Sequence, residues 1–248
     1  MSLVMRGIQK QFKNAETAIL NNINLEIESG EFVCIVGPSG CGKSTLLNLV
    51  AGLEKPSSGE LLLNGKPITG PGADRTVMFQ EHALFPWLTV IENVKFGMKL
   101  AGISKQEQEE RASYYLNMVH LQNYRDYPIH QLSGGMRQRT ALARALTMNA
   151  ELLLMDEPFS ALDKQTSNQL REELQSIWSK TKNTILFITH SVEEAVYLAD
   201  RVIVLSPVTH SIEDIIPIEL CRPRQVYAPD FVNYRHRISG EVRREIAG

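Results

Sequence analysis

The segment Gly37-Pro38-Ser39-Gly40-Cys41-Gly42-Lys43-Ser44 constrains what this chain can be more than any other stretch. It spells G-x-x-x-x-G-K-S. The apolar run Glu31-Phe32-Val33-Cys34-Ile35-Val36 before it predicts a buried strand, and residues 44–50 after it can start a helix. Glycines in such a loop let backbone N–H groups converge on phosphate oxygens without interference from Cβ atoms. The helix start adds unpaired donors and the positive end of a dipole. Lys43 supplies a point charge for β- and γ-phosphates, and the Ser44 hydroxyl is a hard oxygen ligand suited to Mg²⁺. Pro38, Ser39, Cys41 and Thr45 complete the loop that would hold a nucleotide. A glycine-rich turn that binds nothing is the bland alternative, and the strand and helix on either side weigh against it.

A second acidic feature lies far downstream. Leu152-Leu153-Leu154-Met155-Asp156-Glu157 is an apolar strand ending in two carboxylates. In open α/β sheets, ligands sit at the carboxyl ends of strands. Asp156 is therefore expected to hold Mg²⁺ through water, and Glu157 to orient and deprotonate an attacking water. An ordinary acidic turn closed by Pro158 would explain the pair if it stood alone; the upstream loop makes it the weaker reading.

Between and beyond these features, apolar runs at 61–63, 76–79, 184–188 and 202–205 predict further strands. Leu170, Leu174, Ile177 and Trp178 form one helical face. Residues 89–150 read mostly as helix, with Ser104 and Glu107 in capping-box spacing. Strands alternating with helices predict an α/β fold with a mostly parallel sheet, interrupted by a helical block. The expected organisation is a single domain of residues 1–248. Residues 1–87 and 149–210 form the α/β core with a β subdomain, 88–148 an inserted helical subdomain, and 211–248 a C-terminal strand and helix. Phe231, Tyr234, Ile238 and Val242 recur at helical spacing, as expected of an amphipathic helix packed on its own domain.

Composition excludes several classes. With 43% hydrophobic and 22% charged residues, the 248-residue chain can bury a sizeable core. A net charge of −2 gives no bulk attraction to nucleic acid or to an anionic membrane. Cys34, Cys41 and Cys221 have no paired metal-site spacing, and a reducing compartment suits them. No apolar run approaches the ~18 residues of a membrane span, and residues 1–10 lack the apolar stretch of a signal peptide.

Leu132-Ser133-Gly134-Gly135-Met136-Arg137-Gln138 narrows the reading further. Together with the two motifs above, it resembles the signature of the ATP-binding-cassette family, and the resemblance spans residues 3–207. It implies a phosphate-loop NTPase core of RecA-like type with an N-terminal antiparallel β subdomain. It also implies that two chains sandwich two nucleotides, with Ser133 and Gly135 touching the γ-phosphate bound by the partner copy. By the same resemblance Gln80 senses metal and the attacking water, Asp163 in Ser160-Ala161-Leu162-Asp163 links the two sites, His190 contacts the γ-phosphate and Phe12 stacks on adenine. Helix capping by Ser133 and Asp163 is compatible with these roles, and core packing of Phe12 is the competing reading. Ser191 departs from the Asp that often follows the histidine in this family.

The resemblance also bears on what the chain drives. One phosphate loop makes it a half-motor that needs a second copy. The helical block carries no long coiled-coil heptads, which disfavours the repair class of cassettes. The stretch Glu81-His82-Ala83-Leu84-Phe85-Pro86-Trp87-Leu88-Thr89-Val90 is similar to the loop with which cassettes grip a permease. Phe85 and Trp87 are either exposed anchors for that grip or part of the lobe's own packing. Residues 70–75, 84–89 and 192–200 are most similar to bacterial importers of nitrate, sulfonate, taurine and related solutes. An inner-membrane permease, an external solute-binding protein and a place on the cytoplasmic face of the inner membrane are implied. The alternative is a soluble cassette acting on nucleic acid or ribosomes.

Overall fold

The structure is a computed structural model that describes residues 2–13, 16–79 and 83–247. The chain opens with β1 (Ser2–Lys10), β2 (Leu20–Glu28) and β3 (Phe32–Val36), then α1 (Lys43–Ala51), β4 (Ser58–Leu63) and β5 (Lys66–Pro67). Next come β6 (Arg75–Met78), α2 (Val90–Leu100), α3 (Lys105–Met118), α4 (Gly134–Thr147), β7 (Leu152–Asp156) and α5 (Lys164–Thr181). The last part holds β8 (Thr184–Ile188), α6 (Val192–Leu198), β9 (Arg201–Leu205), β10 (Ile212–Pro217) and α7 (Pro229–Ala247). Two compact units result: Met1–Gly72 with Asn183–Gly248, and Ala73–Lys182.

In the first unit β2-β1-β4-β5 form an antiparallel sheet. β2 alternates Leu20, Ile23, Leu25 and Ile27 inward with exposed polar residues between them. That alternation marks a sheet covered on one face. β3 and β8 are instead buried at all five positions. β3 runs parallel to both β8 and β9, and β10 closes antiparallel on β9. Continuous apolar runs of this kind belong to strands covered on both faces. The registers pair Ile35 with Ile188 and Val36 with Val204, so the loops after β3 and β8 leave from the same end. α7 buries Phe231 and Ile238.

In the second unit β6 and β7 pair in parallel, Met78 opposite Met155. α2, α3 and α4 bury Val94, Met98, Ala112, Leu116, Leu142 and Leu146. α5 hides Leu170, Leu174, Ile177 and Trp178, the face read from the sequence. α2 starts on a complete capping box: the Thr89 hydroxyl accepts from Glu92 N–H, and the Glu92 carboxylate accepts from Thr89 N–H at 2.8 Å. That bond to Thr89 N–H holds the Glu92 carboxyl below its ordinary range.

Candidate active site

Within the first unit, β3 delivers the chain into the loop Gly37–Gly42, and α1 begins at Lys43. The Lys43 ammonium is 7% exposed and donates to the carbonyls of Gly37 and Pro38, each at 2.9 Å. It is thus folded back over its own loop, where an incoming phosphate would meet it. Gly42 takes φ 98°, and a Cβ there would lie 2.7 Å from Leu20 Cδ2 and 2.8 Å from the Ile19 carbonyl oxygen. Burial raises the neighbouring Cys41 thiol pKa despite the Lys43 charge, so that thiol is poorly reactive.

The residues present fit a nucleotide. α2 to α6 are each capped by a side chain, Thr89, Ser104, Ser133, Asp163 and Ser191 in turn. α1 starts on Gly42 with no side-chain cap and no acid in its first turn. Its leading N–H donors are arranged for an external anion. Each unit offers a hard oxygen of the kind Mg²⁺ takes, the Ser44 hydroxyl in the first and the Asp156 carboxylate in the second. Among the described residues no group of three or more His, Cys, Asp or Glu could hold a metal.

Gly42→Ala is expected to cost about 2 kcal/mol through its left-handed backbone and the contact with Ile19. Tm should fall by roughly 4–8 °C, with weaker ATP binding. Differential scanning fluorimetry and nucleotide titration check both.

His190 is exposed and leaves β8 at the end where the Gly37 loop begins. Its neighbours fix it. Thr189 N–H donates to the Ile35 carbonyl at 3.2 Å, Thr189 Oγ1 donates to Glu194 Oε2 at 2.6 Å, and Ser191 N–H donates to Thr189 Oγ1 at 2.9 Å. Ser191 itself caps α6, accepting from Glu194 N–H at 3.3 Å. Asp fills that role equally well, so the departure noted in the sequence keeps the local geometry. Phe12 is 44% exposed, with the Lys10 ammonium 4.9 Å from its ring centroid. It is not a core residue, and its ring is open to a stacking partner.

Within the second unit, Asp156 ends β7 and Glu157 follows it with φ 44°. A left-handed glutamate costs about 1–2 kcal/mol. The turn holds it there, because the Glu157 carbonyl accepts from Ser160 N–H at 3.2 Å and from Ser160 Oγ at 2.9 Å. Strain of this kind persists where surrounding contacts over-determine the backbone, and it concentrates at functional positions.

Ser133 caps α4, accepting from Met136 N–H at 3.2 Å. Asp163 caps α5, accepting from the N–H groups of Gln165 and Thr166 and from Thr166 Oγ1 at 2.7 Å. Those bonds, led by the Thr166 N–H, keep its carboxyl below the ordinary range. A Cβ on Gly135 would lie 2.6 Å from Thr166 Cγ2. Thr166 therefore joins the cap of α5 to the start of α4, and Ser133, Gly135 and Asp163 form one cluster. Gln80 lies outside the described residues.

The stretch after Gln80 divides the two readings of its aromatic rings. Phe85 packs on Phe96 at 4.2 Å between centroids, whereas Trp87 is 74% exposed. Sequence reasoning missed Asn93, which is fully buried. It accepts from Phe85 N–H at 2.8 Å and donates to the carbonyls of Phe85 and Thr89, pinning the loop. Its position one residue past the Thr89–Glu92 capping box was the available signal. Beside the loop is a cavity of about 330 Å³ lined by Val77, Phe79, Phe85, Phe96, Arg144 and Met148 among others.

Comparison with known proteins identifies the family. The family model described as ABC transporter matches residues 20–160. The chain is 48% identical over 254 residues to the nitrate import ATP-binding protein NrtD of Synechocystis, covering 98% of this chain and 96% of that protein. It is 44% identical over 232 residues to the taurine import ATP-binding protein TauB of Yersinia pestis, covering 90% and 91%. Among solved structures, the ATP-binding cassette MJ0796, dimeric and bound to ADP and phosphate in a post-hydrolysis state, superposes with a TM-score of 0.76. It is 31% identical, covering 88% of this chain and all of that one. The chain belongs to the ABC transporter family, as one of its ATP-hydrolysing subunits.

Proposed function

We propose that this chain is the ATPase of a bacterial importer, closing with a second copy around two ATP molecules and working a membrane permease. The cluster of Ser133, Gly135 and Asp163 carries the reading. It presents a helix N-terminus, a hydroxyl and a side-chain-free position together, a surface suited to a second copy's γ-phosphate.

In the proposed reaction, the loop Gly37–Thr45 binds the phosphates and Phe12 stacks on the base. Lys43 and His190 stabilise charge on the γ-phosphate, and Glu157 orients the water and takes its proton. Ser44, Asp156 and Gln80 would hold Mg²⁺, which neutralises phosphate charge when bound. Little covalent chemistry is needed, because positioning and charge stabilisation carry phosphoryl transfer. Phosphate release removes the contact that Ser133 and Gly135 make in the closed state, and the pair reopens.

The helical subdomain 88–148 and the loop before it are the proposed permease-facing part, with Trp87 as the exposed anchor. No helix among the described residues is long and apolar enough to cross a membrane. In this reading the permease holds the chain at the cytoplasmic face of the inner membrane, and an external solute-binding protein feeds it. NrtD and TauB support nitrate or taurine as the solute, within the sequence-based expectation of nitrate, sulfonate, taurine or a related small anion.

Tagged chain drawn from solubilised membranes should bring down a permease, and the permease should raise ATP turnover. Turnover stimulated by nucleic acid, with no permease recovered, would reject the importer in favour of the soluble alternative. Trp87→Ala should weaken permease recovery by about tenfold, the size of effect expected of an aromatic anchor. It should leave nucleotide binding by the free chain unchanged.

A further inference from the structure

The short helix α6 carries His190 just before its N-terminal cap, and its other end is held in an unusual way. A seven-residue helix is marginal alone, and its last carbonyls need partners. Two arginines from beyond β10 supply them. Arg224 Nη1 donates to the carbonyls of Val196 at 2.7 Å, Tyr197 at 3.2 Å and Ala199 at 2.7 Å. Arg222 Nη2 donates to Leu198 at 2.7 Å. Four consecutive carbonyls are thereby satisfied from a segment some 25 residues downstream.

The clamp is anchored in turn. Arg224 also donates to the carbonyls of Ile218 and Leu220, each at 3.2 Å, and is 5% exposed. Arg222 pairs with Asp200 Oδ1 at 2.7 Å, while Asp200 Oδ2 accepts from Phe32 N–H at 2.9 Å. Phe32 begins β3, the strand that ends at the phosphate loop. Burial lowers the Arg224 guanidinium pKa to about 10, so at neutral pH it is still charged and complements the negative end of α6.

We propose that Arg224, assisted by Arg222, is a positioning residue for ATP hydrolysis. Arg224 fixes the C-terminal end of α6, Arg222 and Asp200 tie that end to the start of β3, and together they set the place of His190 relative to the phosphate loop. The segment after β10 thus acts in hydrolysis without touching nucleotide. The inference rests on the reading of His190 as a γ-phosphate contact.

The test uses the full chain with its permease. Arg224→Met should lower kcat by about tenfold or more, as displacement of a reacting group by an ångström does. KM for ATP should stay within about twofold, since the phosphate loop binds independently, and Arg224→Lys should recover part of the rate. In single-turnover measurements on a His190→Gln background, Arg224→Met should change the residual rate by less than about twofold, the non-additivity of residues acting through one another. An unchanged kcat in Arg224→Met, or a full tenfold loss on top of His190→Gln, would overturn the proposal. If Arg224→Met does not fold, Arg222→Gln removes one carbonyl contact and the Asp200 pair. It should then lower kcat about threefold by the same displacement, and an unchanged kcat would count against the clamp. Normal turnover in His190→Gln alone would instead remove the histidine assignment.

Discussion

Glu157→Gln should slow ATP turnover by ~10²–10⁴-fold, the contribution of a positioned general base, while ATP affinity stays within about twofold. The substitution preserves side-chain length and removes only the capacity to take a proton. The backbone cost at φ 44° falls equally on either residue, so the fold is not expected to change. With hydrolysis blocked, nucleotide accumulates in the bound state. Rapid-quench kinetics beside equilibrium ATP titration separates the two effects. Normal turnover in the variant would remove Glu157 from the reaction.

Gly135→Asp should be nearly as severe, by a different route. A carboxylate near the start of α4 gains about 0.3–1 kcal/mol from the helix dipole. Against that, a negative charge about 4 Å from a γ-phosphate oxygen costs about 4 kcal/mol at an effective dielectric of 20. Repulsion wins, and the loss of a partner copy's ATP contact should cut turnover ~10²–10³-fold. Binding of ATP to the variant's own phosphate loop should stay within about threefold. Gly135→Ala separates charge from crowding: its Cβ meets only Thr166 Cγ2, so any loss it causes reads packing without added charge. Equal losses in the two variants would show that packing against Thr166, not phosphate contact, is what Gly135 provides.

The parts of this protein that sequence patterning made legible are those governed by local rules. β3, β7, β8 and β9 are short runs of apolar residues because both faces are covered, and such runs stand out in any sequence. The phosphate loop is legible because its glycines and lysine must occur at fixed spacing. Ser133 and Asp163 read as helix caps because a cap bonds only two or three residues away. β1 and β2 were known only through family resemblance. Polar residues such as Asn21, Asn22 and Asn24 break up β2, and β1 needs β2 and β4 beside it. Asn93 and Arg224 stayed hidden for another reason. Their partners are backbone groups, which every residue has, so the partners cannot be picked out from side-chain patterns. The φ of Glu157 was equally unreadable, since the Ser160 contacts that impose it are a property of the folded turn.

The proposed mechanism depends on ATP enclosed by two copies, each presenting Ser133 and Gly135 to the other's phosphate loop. The most direct test is the solution mass of the Glu157→Gln chain by light scattering with Mg²⁺ and nucleotide. With ATP the mass should double, with ADP it should stay that of one chain, and adding Gly135→Asp should abolish the doubling. A single-chain mass at saturating ATP, or a dimer indifferent to both nucleotide and Gly135→Asp, would rule out the two-copy sandwich.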